Sequence, residues 1–338
     1  MLSKFFETIY QKVFVNIVVK STSTDVYIEL CSQNDVVDNF ESNFNGVKMS
    51  EEMLGFIKSY ISESPFFFIS VLDMSASQGA LPTCEKNRLS YYCDISASEY
   101  KCYNEKWTYY TSKTDLYEVE RRYKDTGVDF IFSPFTLLAN FFKDKIDSNL
   151  AMYILIQDGF VSLSVFDNSE LLFAEHLDME SPHVNDDLLM DDSSGELDLE
   201  DGIDLEDIDV VDSGEPYDDF SDIEDLDSLE EIDEFSDNKD VEEEFYHEEE
   251  GLSKEDENPD GFNEDYQRFS LIQSSINHFY KDEKYQSQFI ENVYIADGVG
   301  ISSELKRYLE EEMFLSVYVR HVELGAEVAE LARMEMGA

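Results

Sequence analysis

Apolar positions along this chain recur with two periods, one near three to four and one of two, and their alternation predicts the elements. Leu2, Phe5, Phe6, Ile9, Tyr10 and Val13 fall at helical spacing, which predicts a short amphipathic helix over 2–12. Residues 14–20 and 25–31 are β-rich runs separated by Ser21, Thr22, Ser23 and Thr24, which reads as a hairpin. Met53, Leu54, Ile57, Tyr60 and Ile61 form one face of a helix, and the continuous apolar run 66–72 reads as a buried strand. Residues 75–113 are looser and rich in Tyr and Ser, with a strand expected at 106–111. A helix at 115–125, a strand at 128–132 and a helix at 134–146 opened by Ser133-Pro134 complete this half.

After Asp147 the order starts again. Three strand-like runs, 151–157, 160–166 and 170–177, are joined by turns at Asp158-Gly159 and Asp167-Asn168. Beyond residue 265 come a helix near 266–282, a strand at 291–296, a helix at 302–313, a strand at 315–321 and a helix at 325–336. The expected domains are a first half over 1–147, with an inserted subdomain at about 75–113, and a second half made of 148–177 plus 266–338. Between the two pieces of the second half lies residue stretch 178–265.

Charge changes the picture there. The 338 residues carry 24 Lys+Arg and 77 Asp+Glu, a net charge of −53, and 178–265 alone holds 40 acids against Lys239 and Lys254. Acids alternate with isolated apolar residues in this stretch, so it buries too little apolar area to offset the entropy of ordering and is expected to be a disordered insertion. The overall balance excludes unaided binding to nucleic-acid backbone and docking on an anionic membrane by charge alone. No run reaches the roughly 18 apolar residues of a membrane span, and Glu7 and Lys12 break the N-terminal stretch as a signal peptide.

Cys31, Cys84, Cys93 and Cys102 form no CxxC pair, and the five histidines lie far from them, so no metal site is expected. Reduced, structural thiols and a cytosolic location follow. The insertion contains no EF-hand loop.

The repeated order of elements resembles the duplicated βββαβαβα unit of the actin-like ATPase fold. Within that fold the chain is similar to the PilM family, the actin-like cytoplasmic component of type IV pilus assembly, related to the cytoplasmic domain of GspL and to FtsA. Residues 14–30 (FVNIVVKSTSTDVYIEL) sit where that family has a strand–loop–strand of the form IDIGSSSVKVVEL. Residues 151–177 match the spacing of its second hairpin, and 291–321 look like its glycine-rich turn, helix and closing strand. The fold expected is therefore α/β, an actin-like pair of subdomains with the acidic insertion.

In such ATPases glycines at two hairpins let backbone N–H groups approach phosphate, and an Asp at each helps hold Mg²⁺ or place water. Here Val18, Val19 and Lys20 stand at the first set of positions and Leu155, Ile156 and Gln157 at the second, with Asp158-Gly159 following. Gly298 and Gly300 remain in the third loop, beside Asp297. Losing one preorganised electrostatic contact costs about 10²–10³ in rate, and several are lost together, so a pseudo-ATPase without catalytic residues is expected. Lys20, Asp158, Gly159, Gly298 and Gly300 are the positions for any residual ATP binding; no cofactor is otherwise expected.

From Lys86 to Lys145 there are 10 basic and 9 acidic residues, eight tyrosines and the only tryptophan. In the resembling family this position is an inserted subdomain that helps form a partner-binding face, which makes Trp107, Arg121 and Arg122 candidates for a partner surface. The acidic insertion reads either as a solubilising loop or as a recognition segment for a basic groove. The resemblance implies a scaffold, peripheral to a bacterial inner membrane, that binds the short cytoplasmic N-terminus of a PilN-like single-pass protein and assembles into a ring or cage. The machine is a type IV pilus platform or a flagellar motor accessory structure. Two other readings stand beside it: an active ATP-binding actin-like protein, and an acidic decoy or chaperone acting through 178–265.

Overall fold

The structure, a computed structural model, describes residues 10–32, 35–180, 259–285, 287–301 and 303–337. The β-branched run of β1 (Lys12–Val19) is buried on both faces, as a central strand requires. It pairs antiparallel with β2 (Ser23–Ser32), which pairs antiparallel with β3 (Asp35–Asn45). Helix α1 (Glu51–Ile61), capped by the Ser50 hydroxyl accepting from Met53 N–H, leads to β4 (Phe67–Leu72), parallel to β1.

An inserted block follows: β5 (Gln78–Leu81), α2 (Lys86–Tyr92), β6 (Ser98–Tyr103) and β7 (Trp107–Ser112). Its strands form their own antiparallel sheet in the order β5-β7-β6. Helix α3 (Lys113–Arg122), strand β8 (Phe130–Phe132), helix α4 (Pro134–Phe141) and the short α5 (Lys143–Ile146) close the first half.

The second half repeats the plan with β9 (Ala151–Gln157), β10 (Phe160–Asp167), β11 (Glu170–Asp178), α6 (Pro259–Lys281), β12 (Asn292–Asp297), α7 (Ser303–Glu311), β13 (Ser316–His321) and α8 (Leu324–Glu335). The sheet orders are β3-β2-β1-β4-β8 and β11-β10-β9-β12-β13. In each, three antiparallel strands are extended by two parallel ones. This duplicated order is the actin-like fold.

Period-two alternation decides what each central strand faces. On β1, Phe14 and Val18 join a core with Tyr153 and Leu155 of β9, and with α4 and α8. The opposite residues Val13, Val15 and Ile17 pack with α1, while Met152, Ile154 and Ile156 of β9 pack with α6 and α7. Helices α4 and α8 therefore lie between the sheets, and every residue of α4 from Pro134 to Asn140 is buried.

Several expectations are corrected. The N-terminal helix over 2–12 lies mostly outside the described residues, and at its end Lys12 already opens β1. Strand β3, the third strand that the resemblance implies, has no signal in its own residues; it is exposed at most positions and lacks a buried alternation. The single helix over 134–146 breaks at Phe142, whose ψ of 25° leaves the helical region. The disordered insertion lies outside the described residues except at its ends, where β11 reaches Asp178 and α6 begins at Pro259 rather than near 266. That early start is reasonable because Pro suits a first helical turn, acids suit a helix N-terminus, and Glu264 and Asp265 pair with Arg268. Finally, Cys84 and Cys102 form a disulfide rather than free thiols. Antiparallel pairing of β5, β7 and β6 folds the two positions together, a closeness that sequence spacing does not carry. Cys31 and Cys93 are free.

Candidate functional site

Three turns meet at the mouth between the two sheets. The β1–β2 turn carries Lys20 and Ser21, the β9–β10 turn carries Asp158-Gly159, and the turn after β12 carries Gly298, Val299 and Gly300. A cavity of about 380 Å³ between them is lined by Lys20, Asp158, Gly298, Val299 and Gly300, with Glu264, Asp265 and Arg268 of α6 on the far wall. Four of the five positions singled out from the sequence thus share one cleft. Gly159 serves the turn itself, with a φ of +81° that favours glycine.

The polar groups of this cleft are already engaged with one another. The peptide N–H and the hydroxyl of Ser21 each donate to Asp158 Oδ2 over 2.7 Å. Lys20 Nζ stands 2.7 Å from Asp25 Oδ2. Arg268, only 7% exposed, donates through Nη1 to Asp265 over 2.7 Å and through Nη2 to Glu264 over 2.9 Å. Ser21 and Arg268 were not singled out from sequence; a serine in a turn and an arginine in a helix carry no signal of a shared site.

The glycine turn is the most informative part. Consecutive N–H groups after a strand form an anion-binding concavity. Here Asp297 fills it: its Oδ1 accepts from Val299 N–H (3.0 Å) and Gly300 N–H (2.8 Å), and its Oδ2 accepts from Ile301 N–H (3.0 Å). Gly298 N–H is spent on the Ile156 carbonyl at 3.0 Å, and a Cβ at 298 would stand 2.9 Å from that oxygen. A phosphate about 4 Å from one such carboxylate meets roughly 4 kcal/mol of repulsion at an effective dielectric near 20. At the strand ends Val18, Val19, Leu155 and Ile156 are buried apolar groups, and Gln157 is a buried neutral amide where a carboxylate would serve Mg²⁺ better. Among the described residues, no cluster of three or more His, Cys, Asp or Glu could hold a metal ion.

A second concavity of about 320 Å³ lies between β6, β7, α3 and the outer strand β8. Its floor is Asp73, 1% exposed, whose carboxylate accepts from Ser75 N–H (3.0 Å), Ser75 Oγ (2.5 Å) and Thr111 Oγ1 (2.9 Å). Burial pushes the Asp73 carboxyl above its usual range against those hydrogen bonds. Tyr100 and Tyr109 form walls, with Glu99, Glu120 and Asp129 around them, and Lys101 is paired with Glu335 at 3.1 Å. The near-neutral stretch 86–145 thus yields an acidic, aromatic groove and not a basic one.

Of the three candidate partner residues, Trp107 is corrected. It is 2% exposed, with its ring 4.7 Å from Tyr103 and 6.1 Å from Phe166 of β10, so it fastens the inserted sheet to the body. Indole is largely apolar, and burial uses its area best. Arg121 is exposed and pairs with Glu118, and Arg122 lines a separate cavity of about 200 Å³ with Val19, Met74 and Asp115.

Among the described residues, no helix is long and apolar enough to cross a membrane. No curated protein matches the chain. Among solved structures it is similar to a Bacteroides thetaiotaomicron protein with an actin-like ATPase fold and unknown function, at 12% identity and a TM-score of 0.48, over 96% of this chain and 97% of that one. It is also similar to the PilM–PilN type IV pilus biogenesis complex, at 8% identity and a TM-score of 0.47, over 93% and 89% of the two chains. Component A of (R)-2-hydroxyglutaryl-CoA dehydratase from Acidaminococcus fermentans matches at 10% identity and a TM-score of 0.37, over 95% of each chain. The profile of a domain of unknown function, DUF8569, matches residues 10–139. A second profile, that of the domain of unknown function DUF8341, matches residues 152–337, and the chain belongs to that family.

Proposed function

We propose that this protein is a catalytically inactive, PilM-like scaffold of a bacterial envelope machine, of the type IV pilus or flagellar motor kind. The observation that carries the inactive reading is Asp297, whose carboxylate takes the three N–H groups that a nucleotide phosphate would need. Both cations of the cleft are held in ion pairs, so a polyphosphate meets mainly carboxylates. No cofactor is required by this reading.

The partner is a PilN-like single-pass inner-membrane protein whose cytoplasmic N-terminal peptide docks on the actin-like body, which keeps the scaffold at the cytoplasmic face of the membrane. Support comes from the repeated element order and from the likeness of residues 14–30, 151–177 and 291–321 to that family. The groove at the inserted sheet suits the peptide. It has aromatic walls at Tyr100 and Tyr109, and the exposed carboxylates of Glu99 and Glu120 at its rim suit a basic side chain.

The test is affinity purification from native membranes with gentle crosslinking, using the full chain, a 178–265 deletion and the double substitution Glu99→Gln with Glu120→Gln. The reading expects single-pass inner-membrane proteins with the first two and a loss with the third. Recovery of soluble basic proteins alone, and only when 178–265 is present, would replace it with the acidic-decoy reading.

A further inference from the structure

Strand β3 is the outermost strand of the first sheet, and among the described residues nothing pairs with its far edge. It is 11 residues long, and every position is exposed or half-buried. Such an edge presents a row of free N–H and C=O groups that pairs readily with another strand. Phe40 and Phe44 point to one face, packing at 4.8 Å on Tyr60 and 5.6 Å on Phe56 of α1. A register shift near Val36 and Val37 bends the strand's first residues, so the regular part runs from Asp38 to Asn45.

We propose that β3 pairs antiparallel with β3 of a second copy, on a two-fold axis through Ser42, joining the two first sheets into one of ten strands. The run NFESNFN over 39–45 reads nearly the same in both directions about Ser42, which fits a second copy in this register. A two-fold axis perpendicular to the sheet must pass through a residue, because side chains of opposed residues share a face. With the axis at Ser42, Asn39 faces Asn45 of the second copy, Phe40 faces Phe44, and Glu41 faces Asn43. The pairing uses residues 39–45 without entering the bend, and no acid opposes an acid.

Other registers lose on charge or on length. An axis at Glu41 or Asp38 sets that acid against itself, while an axis at Phe40 leaves only 38–42 clear of the bend and one at Asn43 only 41–45 within the strand. The axis at Ser42 also gives two aromatic cross-strand pairs, each continuing the Phe56–Tyr60 row of α1. Closed two-fold pairing of this kind consumes the edge and does not propagate into fibres.

Sedimentation velocity of the full chain tests the dimer, in high salt to screen a net charge of −53 on each copy. Wild type is expected to dimerise. Ser42→Asp, which places like charges across the axis, is expected to weaken self-association by about tenfold or more while the chain still unfolds cooperatively. Register is tested by oxidation in a Cys93→Ser background: Ser42→Cys is expected to crosslink two copies, and Asn39→Cys is not. A monomer at all concentrations, a dimer indifferent to Ser42→Asp, or equal crosslinking at both positions would overturn the proposal.

Discussion

Ser21 donates twice, through its backbone N–H and its hydroxyl, to one carboxylate oxygen of Asp158, a residue 137 positions away. The turn of the first hairpin is thereby tied to the turn of the second. In an actin-like body those two turns face each other across the cleft, and here their polar groups satisfy one another.

Gly298 allows the third turn to lie against β9. An added Cβ would stand 2.9 Å from the Ile156 carbonyl oxygen and 3.2 Å from Leu324 Cδ1. Gly298→Ala is expected to lower stability by about 1–3 kcal/mol, read by chemical denaturation. A neutral result would show that the turn can shift away from the strand.

The ion pair between Arg333 of α8 and Glu29 of β2 holds the last helix on the first sheet. Glu29 is 4% exposed and also accepts from Tyr27 Oη at 3.3 Å. Arg333→Ala leaves that carboxylate buried without its cation and is expected to cost about 3 kcal/mol or more. The double substitution Glu29→Gln with Arg333→Met is expected to recover much of the loss.

Glu327 gives stability a pH dependence. Burial pushes its carboxyl up to about 7, helped by Glu330 and opposed by Lys143, Arg320 and Arg333. A carboxyl raised in the folded state binds more protons there than when unfolded, so its contribution is full below about 4.5 and falls as pH rises through about 7. Melting temperature is therefore expected to decline between pH 5 and 8 by more in wild type than in Glu327→Gln. Parallel curves would remove Glu327 as the cause.

The disulfide between Cys84 and Cys102 closes a loop with a sequence separation of 18. Loops of this size give about 3 kcal/mol of stabilisation. Reduction is expected to loosen β5, β6 and β7 selectively, seen as faster amide exchange there while β1 and β9 stay protected.

Much of the fold is readable from the chain itself because its central strands are buried on both faces. Runs such as AMYILIQ in β9 and KVFVNIVV in β1 announce themselves without any partner in view. Strand β3 does not: DVVDNFESNFN is defined by pairing to β2 and by two phenylalanines reaching α1, and an exposed edge needs no apolar alternation. The glycines and Asp158 of the cleft were visible as turn residues, whereas the Ser21–Asp158 contact and the burial of Trp107 depend on elements distant in sequence. The Asp73 groove was hidden for the same reason, since its walls come from β6, β7, α3 and β8.

The most direct measurement is titration calorimetry of the full chain with Mg-ATP. A cleft whose N–H groups are taken by Asp297 and whose cations are paired is expected to give no heat of binding up to millimolar nucleotide. Micromolar binding that is abolished by Asp158→Ala would contradict the inactive reading and restore a nucleotide-dependent actin-like protein.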